Sequence, residues 1–302
     1  MMINIPIPIS VVKNAIRSFR NKAEWQNIPR SRAGFEKLTK RYEYRSDKCN
    51  YTPIEIQHCK AEWIEQKKHS SKKVLLYFHG GGYSVGSIDT HRSLLTKIAL
   101  AGQHFKILNF EYRLAPENPF PAGLNDAVMA YEWLLENGYS NNDIALGGDS
   151  AGGGLTFATL LYLRDHNKPL PKCAITLSPW TDLTLSGKTY LDPNTEEPML
   201  TKEAFPFWTK IYYTENNPAN PYISPVFGDF SGLPPIYIQV GTAEVLLDDS
   251  VRVYENAQSK NVPIEMDVYE DYFHVFQSFW RVLPKANAAI KKLSAFLDKN
   301  FE

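Results

Sequence analysis

Short apolar runs recur along the chain with helical stretches between them, and this alternation limits the possible folds more than any other feature. Val74-Leu75-Leu76-Tyr77-Phe78 runs into glycines without a polar interruption, the pattern of a strand covered on both faces. Similar runs lie at Lys106 to Tyr112, Ile144 to Leu146, Ala174 to Leu177, Ile236 to Val240 and Ile264 to Tyr269. Helical texture fills His91 to Ala101, Gly123 to Asn137, Gly153 to Asp165, Ser250 to Ser259 and Phe276 to Leu297. Strands alternating with helices predict a parallel sheet with helices on both faces and right-handed crossovers. Upstream, residues 11–48 carry Val12, Ile16, Phe19 and Trp25 at roughly helical spacing and predict one or two amphipathic helices. The alternation fails between Asp182 and Pro234, a stretch holding Phe205, Phe207, Trp208, Tyr212 and Tyr213. An insertion of that length in a compact domain reads as a functional lid.

The 302 residues suit one large α/β domain with an insertion, or two smaller domains. Lys+Arg and Asp+Glu both number 33, so the formal charge is zero. With no basic tract either, nucleic acid and anionic membranes are poor partners, and a neutral organic substrate fits better. The start, Met1 to Ile9, is apolar but broken by Pro6 and Pro8 and lacks a basic leader, which makes a poor signal peptide. No run of ~18 apolar residues exists, so no membrane-spanning helix is expected. Cys49, Cys59 and Cys173 form no CxxC pair and no Cys/His spacing, so no metal is expected. Their odd number suits reduced thiols and a cytoplasmic setting. Cys49 and Cys59 can pair only if the fold brings them together, and Cys173 reads as a small core residue.

Gly148-Asp149-Ser150-Ala151-Gly152 follows a short strand and opens a helix, the context that a G-x-S-x-G nucleophile turn needs. Small residues two before and two after Ser150 let strand and helix approach, and the hydroxyl then stands at the positive end of the helix. Earlier, Val74 to Phe78 leads into His79-Gly80-Gly81-Gly82-Tyr83. Acyl transfer develops a negative oxygen that needs preorganised N–H donors, and a glycine run can aim several at one point. Gly81, Gly82 and Ala151 are the candidate donors, and His79 braces the loop. A phosphate-binding turn is the alternative, but no GK[ST] follows and no G-x-G-x-x-G is present.

A serine nucleophile needs a histidine base. Only His166 and His274 follow Ser150 in the chain. His166 sits in a polar helix end and reads as solvated surface. His274 follows the last strand, where an α/β sheet keeps its site. The orienting acid should follow the preceding strand, in Gly241-Thr242-Ala243-Glu244-Val245-Leu246-Leu247-Asp248-Asp249. Glu244 is favoured and Asp248 is the runner-up. Asp248 and Asp249 read as N-terminal helix residues, and Asp271 as pointing elsewhere.

These residues together resemble the hormone-sensitive-lipase-like branch of the α/β-hydrolases, the bacterial family IV carboxylesterases. The matches, in family order, are His79-Gly80-Gly81-Gly82, Tyr112-Arg113-Leu114-Ala115-Pro116-Glu117, Phe120-Pro121-Ala122 with Asp126, Gly148 to Gly153, Ser178-Pro179-Trp180 with Asp182, and His274-Val275-Phe276. The resemblance implies an α/β-hydrolase fold: a mostly parallel eight-stranded sheet with helices on both faces and a helical cap. It places the cap at residues 1–42 and 183–225 and the catalytic core at 43–182 and 226–302. It implies a cofactor-independent serine esterase of short-to-medium acyl esters, with Ser150, Glu244 and His274 catalytic. Substrate-pocket candidates are Tyr83, Trp180, Phe205, Phe207 and Trp208. Arg113 and Glu117 read as a structural pair under the site. The chain departs from many members in having Glu244 where they carry Asp, and Val275 where they carry Gly. Rival activities are amide or formamide hydrolysis, deacetylation, and non-catalytic ligand binding. The assembly expected is a monomer or a homodimer.

Overall fold

A computed structural model describes residues 7–20, 25–68 and 71–302. The first six residues of the stretch read against a signal peptide lie outside them, as does His69. In chain order the elements are α1 (Ile9–Arg20), α2 (Ile28–Arg41), β1 (Cys49–Ile56), β2 (Cys59–Gln66), β3 (Lys73–Phe78), α3 (Ile88–Ala101), β4 (Phe105–Phe110) and α4 (Ala122–Glu136). There follow β5 (Ile144–Asp149), α5 (Ala151–Asp165), β6 (Cys173–Leu177), α6 (Lys188–Leu191), α7 (Phe205–Tyr213), β7 (Ile236–Ala243), α8 (Leu247–Ser259), β8 (Ile264–Phe273) and α9 (Pro284–Phe301).

One eight-stranded sheet runs β1-β2-β4-β3-β5-β6-β7-β8. Every pair from β4 through β8 is parallel, while β2 is antiparallel to both β1 and β4. The pleat divides the core. In β3, Val74, Leu76 and Phe78 face the helices α4, α5 and α8, whereas Leu75 and Tyr77 face α3 and α9. All five side chains are fully buried, which explains the unbroken apolar run. Burying each is worth roughly 1.5–3 kcal/mol, offset by the entropy of ordering it. Outside this sandwich, α1 lays Val12 against Phe273 and Phe276. Among the described residues no helix is long and apolar enough to cross a membrane.

Several expectations need correction. The hairpin β1–β2 was not anticipated: β1 alternates between buried and exposed without an apolar run, because it forms the sheet edge. Cys49 and Cys59 lie at opposite ends of it, Cys49 across from Gln66 and Cys59 across from Ile56. All three thiols are free and buried. The last helix does not start at Phe276. A short 3-10 turn covers Phe276–Phe279, and α9 begins only at Pro284, whose ring suits a first helical turn and breaks an interior one.

Arg113 and Glu117 do not pair. Arg113 forks onto buried Asp126, with Nε and Nη2 at 2.9 and 2.7 Å, and its own N–H donates to the same carboxylate at 2.8 Å. Glu117 instead meets Arg32 of α2 at 2.7 Å. The reason is geometric: Asp126 points from the first turns of α4 into the loop that Arg113 opens, while Glu117 reaches the surface. Asp126→Asn would set an amide N–H₂ against the guanidinium. A loss of about 2 kcal/mol is expected, discounted because Arg113 is partly exposed. A urea melt reads it, and an unchanged midpoint would count against this pair as the loop's anchor.

Candidate active site

Ser150 sits between the last residue of β5 and the first of α5, with φ 53° and ψ −122°. This left-handed backbone is strained for a residue with a Cβ and is the price of the sharp turn. A Cβ on Gly152 would lie 2.0 Å from the Phe78 carbonyl oxygen, and one on Gly148 would lie 2.3 Å from that of Gly152. Only glycine at both places lets α5 close onto β3 and β5. The Ser150 N–H donates to the Leu177 carbonyl at 2.9 Å, and its own carbonyl accepts from Trp180 at 2.8 Å. The turn is thereby pinned to the carboxyl end of β6.

The glycine loop lies alongside. Gly81 and Gly82 have φ 124° and 59°, and a Cβ on Gly81 would collide with the Val85 carbonyl at 2.2 Å. Ser84 and Val85 both donate to the Gly81 carbonyl, which closes the loop on that oxygen. Among the described residues the N–H groups of Gly81, Gly82 and Ala151 have no acceptor. Beneath them is a buried polar knot that motif inspection missed. Asp149 accepts from Tyr77 Oη at 2.9 Å and from the Gly80 N–H at 3.1 Å, and faces His91 Nε2 at 3.3 Å. Burial opposes its ionisation, but His91 and Tyr77 hold its carboxyl below the ordinary range. His79 braces the loop, with Nδ1 2.8 Å from the Gly80 oxygen and its ring stacked on Tyr112. Burial, helped by His91, pushes its imidazole down to about 3, so it stays neutral.

His274 Nδ1 lies 2.9 Å from Glu244 Oε2. Glu244 is fully buried and reaches back from the loop after β7. Its other oxygen accepts from the Gly241 N–H at 2.7 Å and from Ser178 Oγ at 2.8 Å. Ser178, which the motifs contain without a stated role, also accepts from the Val275 N–H at 3.1 Å. One hydroxyl therefore ties the acid to the histidine's turn, directly after the residue that pins Ser150. Val275 has φ 48° and ψ 42°, the left-handed region that favours glycine, so the His-Val-Phe departure carries backbone strain. Burial opposes charging of His274, but the Glu244 bond and charge, with Glu197 and Asp149, hold its imidazole above the ordinary 6.5.

The structure does not put Ser150 Oγ in hydrogen-bond contact with His274 among the described residues, and such bonds are often long in a free enzyme. Ser150 is 8% exposed and His274 3%, so water is largely excluded. The other acids stand apart. Asp248 accepts from the Lys188 N–H at 2.9 Å, and Asp249 from the Thr181 and Asp182 N–H groups at 2.7 and 2.8 Å. Both lie in the first turn of α8, as expected, and their carboxylates fasten the segment that starts at Thr181. Asp271 pairs with Lys13 of α1. His166 is exposed at the end of α5.

Tyr83, Trp180 and Phe205 are buried in one aromatic cluster. Tyr83 stacks on Tyr212 at 3.8 Å, and Phe205 meets Trp180 edge-on at 5.1 Å. Trp208 lies against the glycine loop, its ring 3.5 Å from where a Gly82 Cβ would be. Phe207 lines an open cavity of about 830 Å³ with Trp25, Ile28, Pro116 and Ile211. A second cavity, about 340 Å³, shares Trp25 and includes Glu197. Neither is lined by Ser150; the first lies between the start of α2 and the insertion, the second between Arg20, Trp25 and the insertion. Among the described residues, His58, Cys59 and Asp126 bring metal-ligand atoms within 4.8 Å of one another. Arg113 already holds that carboxylate, and burial pushes the Cys59 thiol up to about 12, so a cation would meet a fixed guanidinium and a protonated thiol.

Residues 75–278 match a family model described as alpha/beta hydrolase fold. The chain is 38% identical to an acetyl-hydrolase of Streptomyces hygroscopicus, over 81% of each protein. Among solved structures it is similar to an esterase from the bacterial hormone-sensitive lipase family, with a TM-score of 0.92 and 38% identity over 97% of this chain and 98% of the other. It is also similar to an esterase soaked with p-nitrophenyl butyrate, with a TM-score of 0.90 and 35% identity over the same shares.

Proposed function

The chain belongs to the α/β-hydrolase family, as a hormone-sensitive-lipase-like carboxylic ester hydrolase, and from that premise we propose that it cleaves short-to-medium acyl esters through an acyl-enzyme on Ser150. The observation that carries this is the 2.9 Å contact of His274 with Glu244, set beside a strained serine and unpaired N–H groups.

Because Nδ1 of His274 is engaged by Glu244, Nε2 is left to take the Ser150 proton. The serine oxygen attacks the ester carbonyl. The developing oxyanion is held by the Gly81, Gly82 and Ala151 N–H groups, in a site where little water competes. His274 returns the proton to the leaving alcohol, and water then releases the acyl group by the same steps. Residues 1–42 and 183–225 form the cap in this proposal, and 43–182 with 226–302 the core. Trp208 against Gly82 supports an aromatic wall at the acyl side, and Phe207 supports a route past Trp25. A p-nitrophenyl ester series tests the substrate class: acetate and butyrate should be cleaved well and palmitate poorly. A preference for palmitate would overturn the short-to-medium assignment.

The base must be neutral to work, and its folded pKa is held above 6.5. Activity should therefore be full at alkaline pH and fall as pH drops through a value above 6.5. A kcat/KM profile checks this, and a rate that stays flat down to pH ~5 would remove His274 as the base.

A further inference from the structure

The insertion between β6 and β7 grips the loop that carries the acid, and the mechanism above makes no use of that grip. Glu197, from the irregular part of the insertion, is buried. Its Oε2 accepts from the Val245 N–H at 3.1 Å, while Oε1 closes its own turn on the Met199 and Leu200 N–H groups at 2.7 and 2.9 Å. Thr189 Oγ1 donates to the Val245 carbonyl at 2.7 Å and accepts from the Asp248 N–H at 3.1 Å. Both main-chain polar groups of Val245 thus end on insertion side chains. Val245 directly follows Glu244, in the stretch between β7 and α8 that belongs to no helix or strand.

Glu197 is itself tied down. Arg20 of α1 donates to its main-chain oxygen at 2.6 Å. The adjacent Glu196 pairs with Lys13 at 3.0 Å and with Arg17, and Lys13 also reaches Asp271 near the end of β8. The choice of side chain is informative. Burial pushes the Glu197 carboxyl up to about 7, a cost that an amide would avoid. Yet three N–H groups converge on it from two sides, and only a carboxylate offers an acceptor oxygen to each side. Glutamine would keep one side and turn its own N–H₂ against the other.

We propose that Glu197 and Thr189 are positioning residues, which hold Val245 and thereby set Glu244 against His274, so that the triad's alignment depends on how the insertion is seated. This rests on the Ser150–His274–Glu244 mechanism proposed above. Once ionised, Glu197 also places a negative charge near His274, together with Glu244 and Asp149; the charges linked to its turn are Lys13, Arg17, Arg20, Glu196 and, through Lys13, Asp271.

Purified full-length Glu197→Gln and Thr189→Val are compared with the parent on p-nitrophenyl acetate. Glu197→Gln is expected to lower kcat about tenfold or more with KM within about twofold. The acid limb of its kcat/KM profile should move to lower pH, because a carboxyl that titrates near 7 beside the imidazole no longer adds its charge. Thr189→Val should lower kcat with a smaller shift of the limb than Glu197→Gln, since no charge is removed and only the Glu244–His274 bond is loosened. Parental kcat and limb in Glu197→Gln, with only a lower melting temperature, would reduce Glu197 to a fold contact and overturn the proposal. Should that variant not fold, parental kcat in Thr189→Val overturns it equally. Fluorophosphonate labelling separates the two layers. A parent chain that does not label sinks the serine mechanism, whereas a parent that labels and a Glu197→Gln variant that labels at the same rate sink this inference alone.

Discussion

Ser150→Ala is expected to lower kcat on a short-chain ester by roughly 10⁴- to 10⁶-fold and to abolish labelling by a fluorophosphonate. Stability should hardly change. The hydroxyl has no hydrogen-bond partner among the described residues, and alanine keeps the same strained φ of 53°. The loss is thus chemical rather than structural, and equal melting temperatures will show it. His274→Ala should cost a similar factor, because the serine and its base act as one unit. It should also destabilise the fold, since Glu244 is then left buried without its partner. The double variant should be no slower than the worse single one. Residual activity from the oxyanion donors alone sets the floor. If Ser150→Ala retains a tenth of the parental rate, the acyl-enzyme mechanism is wrong and a water-attack route must replace it.

How much of this was legible in the sequence depended on whether a residue's role is local. The doubly covered strands announce themselves because both faces of β3 through β7 are buried, which forces continuous apolar runs. The edge hairpin β1–β2 stayed hidden for the converse reason: Glu55, Glu62 and Glu65 sit in strands whose outer faces meet water or, in the case of Glu62, Arg92. The long apolar stretch after Phe276 looked helical throughout, yet Pro284 decides where α9 can start. At the site, Ser150, Gly81, Gly82 and His274 sit in contiguous motifs, so turn chemistry alone could nominate them. Ser178, Glu197 and Thr189 could not be nominated that way. Each acts on a residue far along the chain, on Glu244, Val245 or the turn at Val275, and no local pattern records such a partner. Arg113 failed for the same reason: its true partner, Asp126, is farther along the chain than the nearer Glu117.

The acid was the position where sequence left two candidates, and the second large effect is expected there. Glu244→Gln should lower kcat by roughly 10³- to 10⁴-fold, whereas Asp248→Asn should cost less than about tenfold. Glutamine fits the same space, but its one acceptor oxygen is claimed by the Gly241 N–H and the Ser178 hydroxyl. The amide N–H₂ is then turned toward His274 Nδ1, which must become an acceptor. That places the imidazole proton on Nε2, where the base needs a lone pair. Asp248, by contrast, spends its carboxylate on the Lys188 N–H, and asparagine can still accept there. Glu244→Asp gives an intermediate result in this scheme. It restores the charge but shortens the arm, and an arm held at Gly241 and Ser178 cannot also span the gap to the imidazole. About a 10- to 100-fold loss in kcat is expected. A fall in Asp248→Asn as deep as that in Glu244→Gln would transfer the acid's role down the loop and undo the assignment.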